Sequence, residues 1–230
     1  EEGWHRMTGF PVPLGGYLRI SFIDWTGHVA PVLFLCGCNF RCPYCHNPEL
    51  VTPSGGRLPV PEVLEDIRQR AGFLDGVVIS GGEPTIHDSL PEFLSELKSV
   101  TGLRIKLDTN GSRPGMLRSV LAGGLVDSIS MDVKAPWKMY ARITGHGGGP
   151  VRESLEILSL SGIPHETRTT FVPDLMSLED LEVVRDQIPP GSPWIIQPFR
   201  GGRTLDPSLE KGTPPDREKL KINFPDAIIR

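Results

Sequence analysis

The chain has 230 residues, enough to bury a full core, and a near-neutral balance of 24 basic and 28 acidic side chains. No basic block stands out, which argues against nucleic-acid binding, and no apolar run of about 18 residues is present to span a membrane. No charged-then-apolar leader opens the chain, so a cytoplasmic setting is the expectation, with either Met7 or a trimmed start ahead of Glu1. Taken in chain order, β-rich apolar runs at Tyr17–Ile23 and Val29–Cys36 predict two strands separated by the turn-like DWTGH. Val63, Leu64, Ile67 and Ala71 form a helical stripe with Pro61 near its first turn. GVVIS at Gly76–Ser80 predicts a strand, and Leu90, Phe93, Leu94 and Leu97 a helix after it. Strands follow at Leu103–Asp108 and Asp127–Asp132, with Met116–Leu121 helical between them. A helix over Val151–Leu160 leads to a strand at His165–Phe171. Ser177 and Asp180 then cap a helix carrying Leu178, Leu181, Val184 and Ile188, and a strand follows at Trp194–Phe199.

Alternating strand and helix predicts parallel strands with helical crossovers. About six βα units are too few for a closed eight-stranded barrel of about 250 residues. The expected fold is therefore α/β, a partial (β/α)6 TIM-like barrel preceded by an N-terminal hairpin or strand. Residues 1–230 read as one domain with its core at about 17–200 and a C-terminal extension over 201–230. LKINFPDAIIR within that extension is expected to add a last strand or cover an edge.

All four cysteines lie between positions 36 and 45, in FLCGCNFRCPYCHNP. Thiols clustered in a cytosolic chain point to metal rather than disulfides. A structural zinc site usually gathers two separated cysteine pairs; here there is one loop, so a zinc knot is cramped. Cys38, Cys42 and Cys45 form C-x3-C-x2-C, and three thiolates holding a [4Fe–4S] cluster leave one iron open to another ligand. Cys36 reads as the buried end of a strand, though a Cys36, Cys42 and Cys45 triplet is the alternative.

C-x3-C-x2-C with the aromatic Tyr44 before its last cysteine is the signature of the radical S-adenosylmethionine (SAM) enzymes. The string GHVAPVLFLCGCNFRCPYCHNPEL, Gly27 to Leu50, resembles the activating enzymes of glycyl-radical proteins, most closely those of anaerobic ribonucleoside-triphosphate reductase. The resemblance implies a [4Fe–4S] cluster and SAM as cofactors, and a flavodoxin- or ferredoxin-type electron donor. It also implies reductive cleavage of SAM to methionine and a 5′-deoxyadenosyl radical, which takes hydrogen from a glycine of a partner enzyme.

Chemistry in parallel α/β folds sits beyond the carboxyl ends of the strands. SGGEP follows GVVI, DTNG follows LRIKL, DVK follows SISM and QPFR follows WII, so each of these strands ends in polar or glycine-rich residues. The exception is HETRTTF, where Arg168 and Thr170 alternate with their neighbours as inward-facing residues should. Gly81 and Gly82 allow close backbone approach to a ligand and Glu83 offers a carboxylate; the resemblance implies that this stretch binds the SAM amino group. It likewise implies Asp108, Thr109 and Asp132 as ligands of a monovalent cation, and Lys134 as a contact of the SAM carboxylate. Taken alone, these residues also read as turn formers and a surface lysine. Arg168 inside a strand needs a partner, for which the SAM carboxylate or Glu83 would serve. The related activases place a histidine where Gln197-Pro-Phe-Arg200 stands here, with Arg200 as a weak substitute. His46 is expected to shape the cysteine loop, His87 to lie at the surface, and GHGGGP, Gly145 to Pro150, to be a connection lacking the phosphate-loop lysine. Two rivals stand beside the activase: a radical SAM enzyme acting on a small molecule, of tailoring or deazapurine synthase type, and a non-catalytic metal-binding docking module.

Overall fold

The computed structural model describes residues 12–52 and 58–230, so the question of Glu1 or Met7 as the start lies outside it. Two compact units make up the chain. The first comprises the described residues of Glu1–Asn39, Glu49–Asp108 and Gly115–Ser128; the second comprises Phe40–Pro48, Thr109–Pro114 and Ile129–Arg230.

In the first unit, β1 (Leu14–Ser21) pairs antiparallel with β2 (Ala30–Leu35), so the expected N-terminal hairpin is present. The short α1 (Pro48–Val51) and α2 (Val60–Arg70) lead to β3 (Gly76–Gly81), α3 (Leu90–Thr101), β4 (Arg104–Thr109) and α4 (Pro114–Ala122). β2, β3 and β4 run parallel in sequence order. The helical stripes behave as their spacing requires: Val63, Leu64 and Ile67 of α2 and Leu90, Phe93, Leu94 and Leu97 of α3 are buried. Each such side chain contributes about 1.5–3 kcal/mol relative to exposure. Gly102 ends α3 in a left-handed cap at φ 66°.

In the second unit, β5 (Ser128–Asp132), β6 (His165–Phe171) and β7 (Trp194–Pro198) run parallel, with α5 (Tyr140–Thr144), α6 (Gly149–Leu160) and α7 (Leu178–Gln187) between them. Ser177 and Asp180 form a reciprocal capping box at the head of α7. The tail adds α8 (Arg217–Asn223) and the two-residue β8 (Ile228–Ile229), which extends β7 in parallel. The class is thus mixed α/β with parallel strands, as the alternation requires.

β6 shows the alternation predicted for it, with Thr167, Thr169 and Phe171 buried and Arg168 and Thr170 half-buried. The buried threonines are satisfied locally. Thr167 Oγ1 donates to the Pro193 carbonyl at 2.9 Å, and Thr169 Oγ1 donates to the Val133 carbonyl at 2.9 Å while accepting from Trp194 Nε1 at 3.0 Å.

Candidate functional site

In the first unit, the end of β3 turns through a pair of glycines that nothing larger could replace. Gly81 has φ +117°, and a Cβ there would lie 2.3 Å from the Leu35 carbonyl oxygen. A Cβ on Gly82 would lie 2.1 Å from the Gly37 carbonyl oxygen. This close approach lets Gly82 N–H donate to the Leu35 carbonyl at 2.9 Å and Glu83 N–H to the Gly37 carbonyl at 2.8 Å. The GGE stretch is thereby tied to the segment that carries Cys36 and Cys38. Cys38 itself donates its N–H to the Val51 carbonyl at 3.1 Å. Glu83 is fully buried, and Thr85 donates to its Oε1 from both the backbone, at 3.0 Å, and the hydroxyl, at 2.5 Å.

Cys36 is buried, as expected for a strand end, and its carbonyl lies 2.9 Å from His87 Nε2. His87 is half-buried rather than on the surface, because it braces that carbonyl; burial lowers its pKa from 6.5. Asp108 ends β4 in a buried pair with Lys106, whose Nζ donates at 2.5 Å, and Ser80 Oγ donates to its other oxygen at 3.2 Å.

In the second unit, Cys45 N–H donates to the Cys42 carbonyl at 3.1 Å, so C-x2-C closes a turn that carries two of the thiols. The turn is held from outside itself: Leu205 N–H donates to the Cys45 carbonyl at 3.0 Å and Asp206 N–H to the Pro43 carbonyl at 2.8 Å. His46 shapes this loop as expected, its Nδ1 3.1 Å from the Arg203 carbonyl and its ring stacked on Phe199. Cys42 is buried and Cys45 half-buried, and neither forms a disulfide. Burial raises the Cys42 thiol pKa, and the Lys134 ammonium acts in the opposite sense.

Asp132 at the end of β5 is flanked by two cations. Lys134 Nζ donates to its Oδ2 at 2.8 Å and Arg168 Nε to its Oδ1 at 3.0 Å. The partner that Arg168 needs is therefore Asp132 in this structure. Tyr140 completes the group from α5: its hydroxyl accepts from Lys134 N–H at 3.1 Å and donates to the Asp132 carbonyl at 3.4 Å. The Tyr44 hydroxyl is buried with no hydrogen-bond partner among the described residues. Gln197 is half-buried and Arg200 exposed. Thr109 is buried, its Oγ1 accepting from Gly111 N–H at 3.1 Å. Of GHGGGP, Gly145 caps α5 in the left-handed conformation, while Gly149 and Pro150 already belong to α6.

Burial opposes the ionisation of Asp132, but Arg168 and Lys134 outweigh it and lower its pKa from 3.8 to about 2. A carboxyl lowered on folding stabilises the native state above its unfolded pKa, and that contribution is lost as pH falls through the folded value. The contribution is on the order of 2 kcal/mol, with about 1 kcal/mol gone by pH 3. Urea unfolding between pH 5 and pH 3 checks it: Asp132→Asn is expected to lower stability at pH 5 and to flatten the decline toward pH 3.

Lys106, Tyr140 and the inward role of His87 are not singled out by the sequence reading. Lys106 had a signal, a lysine inside an otherwise apolar strand with an acid two residues on. Tyr140 had none, since its role depends on how α5 packs on β5. Among the described residues, no three His, Cys, Asp or Glu side chains are gathered as a ready-made metal site. The donor chemistry nonetheless suits an iron–sulfur cluster: thiols outside any disulfide on a short, braced loop, with no carboxylate in the motif.

Comparison with known proteins decides the family. The sequence profile of the Radical SAM superfamily matches residues 32–186. The chain belongs to the radical SAM superfamily. It is 30% identical over 214 residues to a Methanocaldococcus jannaschii protein provisionally named a glycyl-radical enzyme activating enzyme, covering 90% of this chain and 88% of that one. It is 30% identical over 165 residues to the pyruvate formate-lyase-activating enzyme of Clostridium pasteurianum, covering 68% and 67%. A 7-carboxy-7-deazaguanine synthase of Hyperthermus butylicus is 33% identical over 163 residues, covering 61% and 67%. Among solved structures, Streptococcus suis SuiB bound to its precursor peptide SuiA aligns with a TM-score of 0.62 at 14% identity, over 82% of this chain. This chain spans 42% of SuiB. A domain of a Bacteroides vulgatus pyruvate-formate lyase-activating enzyme aligns with a TM-score of 0.53 at 16% identity, over 67% of this chain and 98% of that one. At these identities the likenesses show the fold alone, the α/β fold of radical SAM enzymes. That agrees with the partial (β/α)6 expectation.

Proposed function

We propose that this radical SAM enzyme is an activase that generates a glycyl radical on a partner protein, and that the chain acts as one radical SAM domain. The observation that carries the reading is the likeness to a glycyl-radical enzyme activating enzyme over nearly the full length of both chains. Cys38, Cys42 and Cys45 would hold the [4Fe–4S] cluster. When bound, the cluster supplies one electron to the SAM sulfonium. The chain's own residues bind and orient. The GGE turn offers backbone and the Glu83 carboxylate for the SAM amino group. Lys134, held by Asp132 and backed by Tyr140, offers an ammonium for the SAM carboxylate, a charge-assisted hydrogen bond. The Tyr44 hydroxyl offers a further buried donor. Arg200, being exposed, has the weakest support of the SAM contacts.

The preferred partner is an anaerobic ribonucleoside-triphosphate reductase, on the resemblance of Gly27–Leu50. The test is anaerobic incubation of the reconstituted enzyme with SAM, a flavodoxin-type reductant and that reductase. The expected result is partner-dependent SAM cleavage and a glycine-centred electron-spin signal on the reductase. SAM cleavage that instead tracks consumption of a small molecule, with no signal on any protein, would replace this reading. The likeness to 7-carboxy-7-deazaguanine synthase favours that second reading over a docking module.

A further inference from the structure

The resemblance assigns Asp108, Thr109 and Asp132 to a bound monovalent cation, yet each of the three is already engaged by the chain's own groups. Lys106 and Asp108 are two positions apart on β4, so they share a face of the strand. The Lys106 ammonium sits 2.5 Å from Asp108 Oδ1, with side chains only 3% and 10% exposed. A lysine ammonium is a compact point charge with three donors, the side chain nearest in character to an alkali ion. Leaving either charge of such a buried pair without the other is strongly unfavourable, so the pair forms as a unit. A metal ion brought to Asp108 would set a second positive charge beside that ammonium, in a site with little water to screen it. Asp132 has its own cations, Lys134 at 2.8 Å and Arg168 at 3.0 Å. The Thr109 hydroxyl oxygen accepts the Gly111 N–H at 3.1 Å. The residues present therefore do not fit an alkali-metal site.

We propose that Lys106 supplies from within the chain the positive charge that the resemblance assigns to a monovalent cation, so that this enzyme binds SAM without an alkali metal ion. The inference rests on the SAM-binding reading above. Lys106 acts as a positioning residue: it holds the Asp108 carboxylate, the acid at the end of β4, in place.

The test is calorimetric titration of SAM into the anaerobically reconstituted enzyme in potassium, sodium or tetramethylammonium chloride at equal ionic strength. The expected dissociation constants agree within about twofold across the three salts. A loss of about tenfold or more in tetramethylammonium alone would overturn the inference. A second arm uses Lys106→Met, which keeps length and removes charge. Its SAM affinity is expected to fall about tenfold in tetramethylammonium and to recover with potassium, the ion now entering beside Asp108. Equal weakness in both salts, with iron content and circular dichroism unchanged, would count against the stand-in role. If that variant does not fold, the wild-type salt comparison decides alone. Failure to bind SAM in any salt would instead sink the SAM reading, and this inference with it, a pattern distinct from a potassium-selective loss.

Discussion

Cys42→Ala is expected to give a folded protein that assembles no cluster, with iron and sulfide near background after anaerobic reconstitution and SAM cleavage lost. The physical reason is ligand count. Three thiolates are the fewest that leave one iron of a four-iron cluster open, and two leave a second iron without protein support. Cys42 is also the most buried of the three, and its alanine variant leaves only a small void within a turn braced from Leu205 and Asp206. Circular dichroism should therefore be close to that of the parent while the brown colour is absent. Cys36→Ala is the matched comparison. Its sulfur packs toward Gly15, where an added Cβ would lie 2.2 Å from Sγ. That variant is expected to keep its iron. Iron lost from Cys36→Ala and kept in Cys38→Ala would reassign the triplet to Cys36, Cys42 and Cys45.

Lys134→Met is expected to weaken SAM binding by about 30- to 100-fold while leaving the iron content intact. A hydrogen bond between a charged donor and a carboxylate is worth about 2–3 kcal/mol, which corresponds to that range. The substitution also removes one of the two cations on Asp132 while Arg168 remains, so a stability loss of about 1 kcal/mol is expected beside the affinity loss. Arg168→Met separates the two effects. It removes the other cation on Asp132 but keeps the Lys134 ammonium, so it should cost similar stability and much less affinity. Calorimetric titration of SAM and urea unfolding on the same preparations read both quantities. An unchanged SAM dissociation constant in Lys134→Met would remove Lys134 from the binding site.

The cysteine motif is a contiguous string whose chemistry follows from thiol count and spacing, so it is legible before any fold is known. The strand ends are legible for a related reason. Period-2 and period-3.6 patterns fix where each βα unit stops, and in parallel α/β folds those stops face the chemistry. GGE, DTNG and DVK stand at such stops, and the hairpin, the capping box of α7 and the late strand β8 follow the same local signals.

The partners distant in the chain lay beyond such patterns. Arg168 and Asp132 are 36 residues apart and meet because β5 and β6 pair with those two residues in register. Tyr140 reaches Lys134 because α5 folds back over the end of β5. His87 turns inward because α3 begins just beyond the GGE turn, which brings its ring to the Cys36 carbonyl.

The sequence by itself determined the three-thiol loop, the order of strands and helices, and the polar residues at the strand ends. Each of these depends on neighbours within a few positions. Only the tertiary structure decided that Arg168 joins Lys134 on Asp132 and that Tyr140 backs Lys134. A buried charge is stabilised by whatever the packing brings within about 3 Å, and for partners far apart in the chain that distance is set by strand register and helix placement.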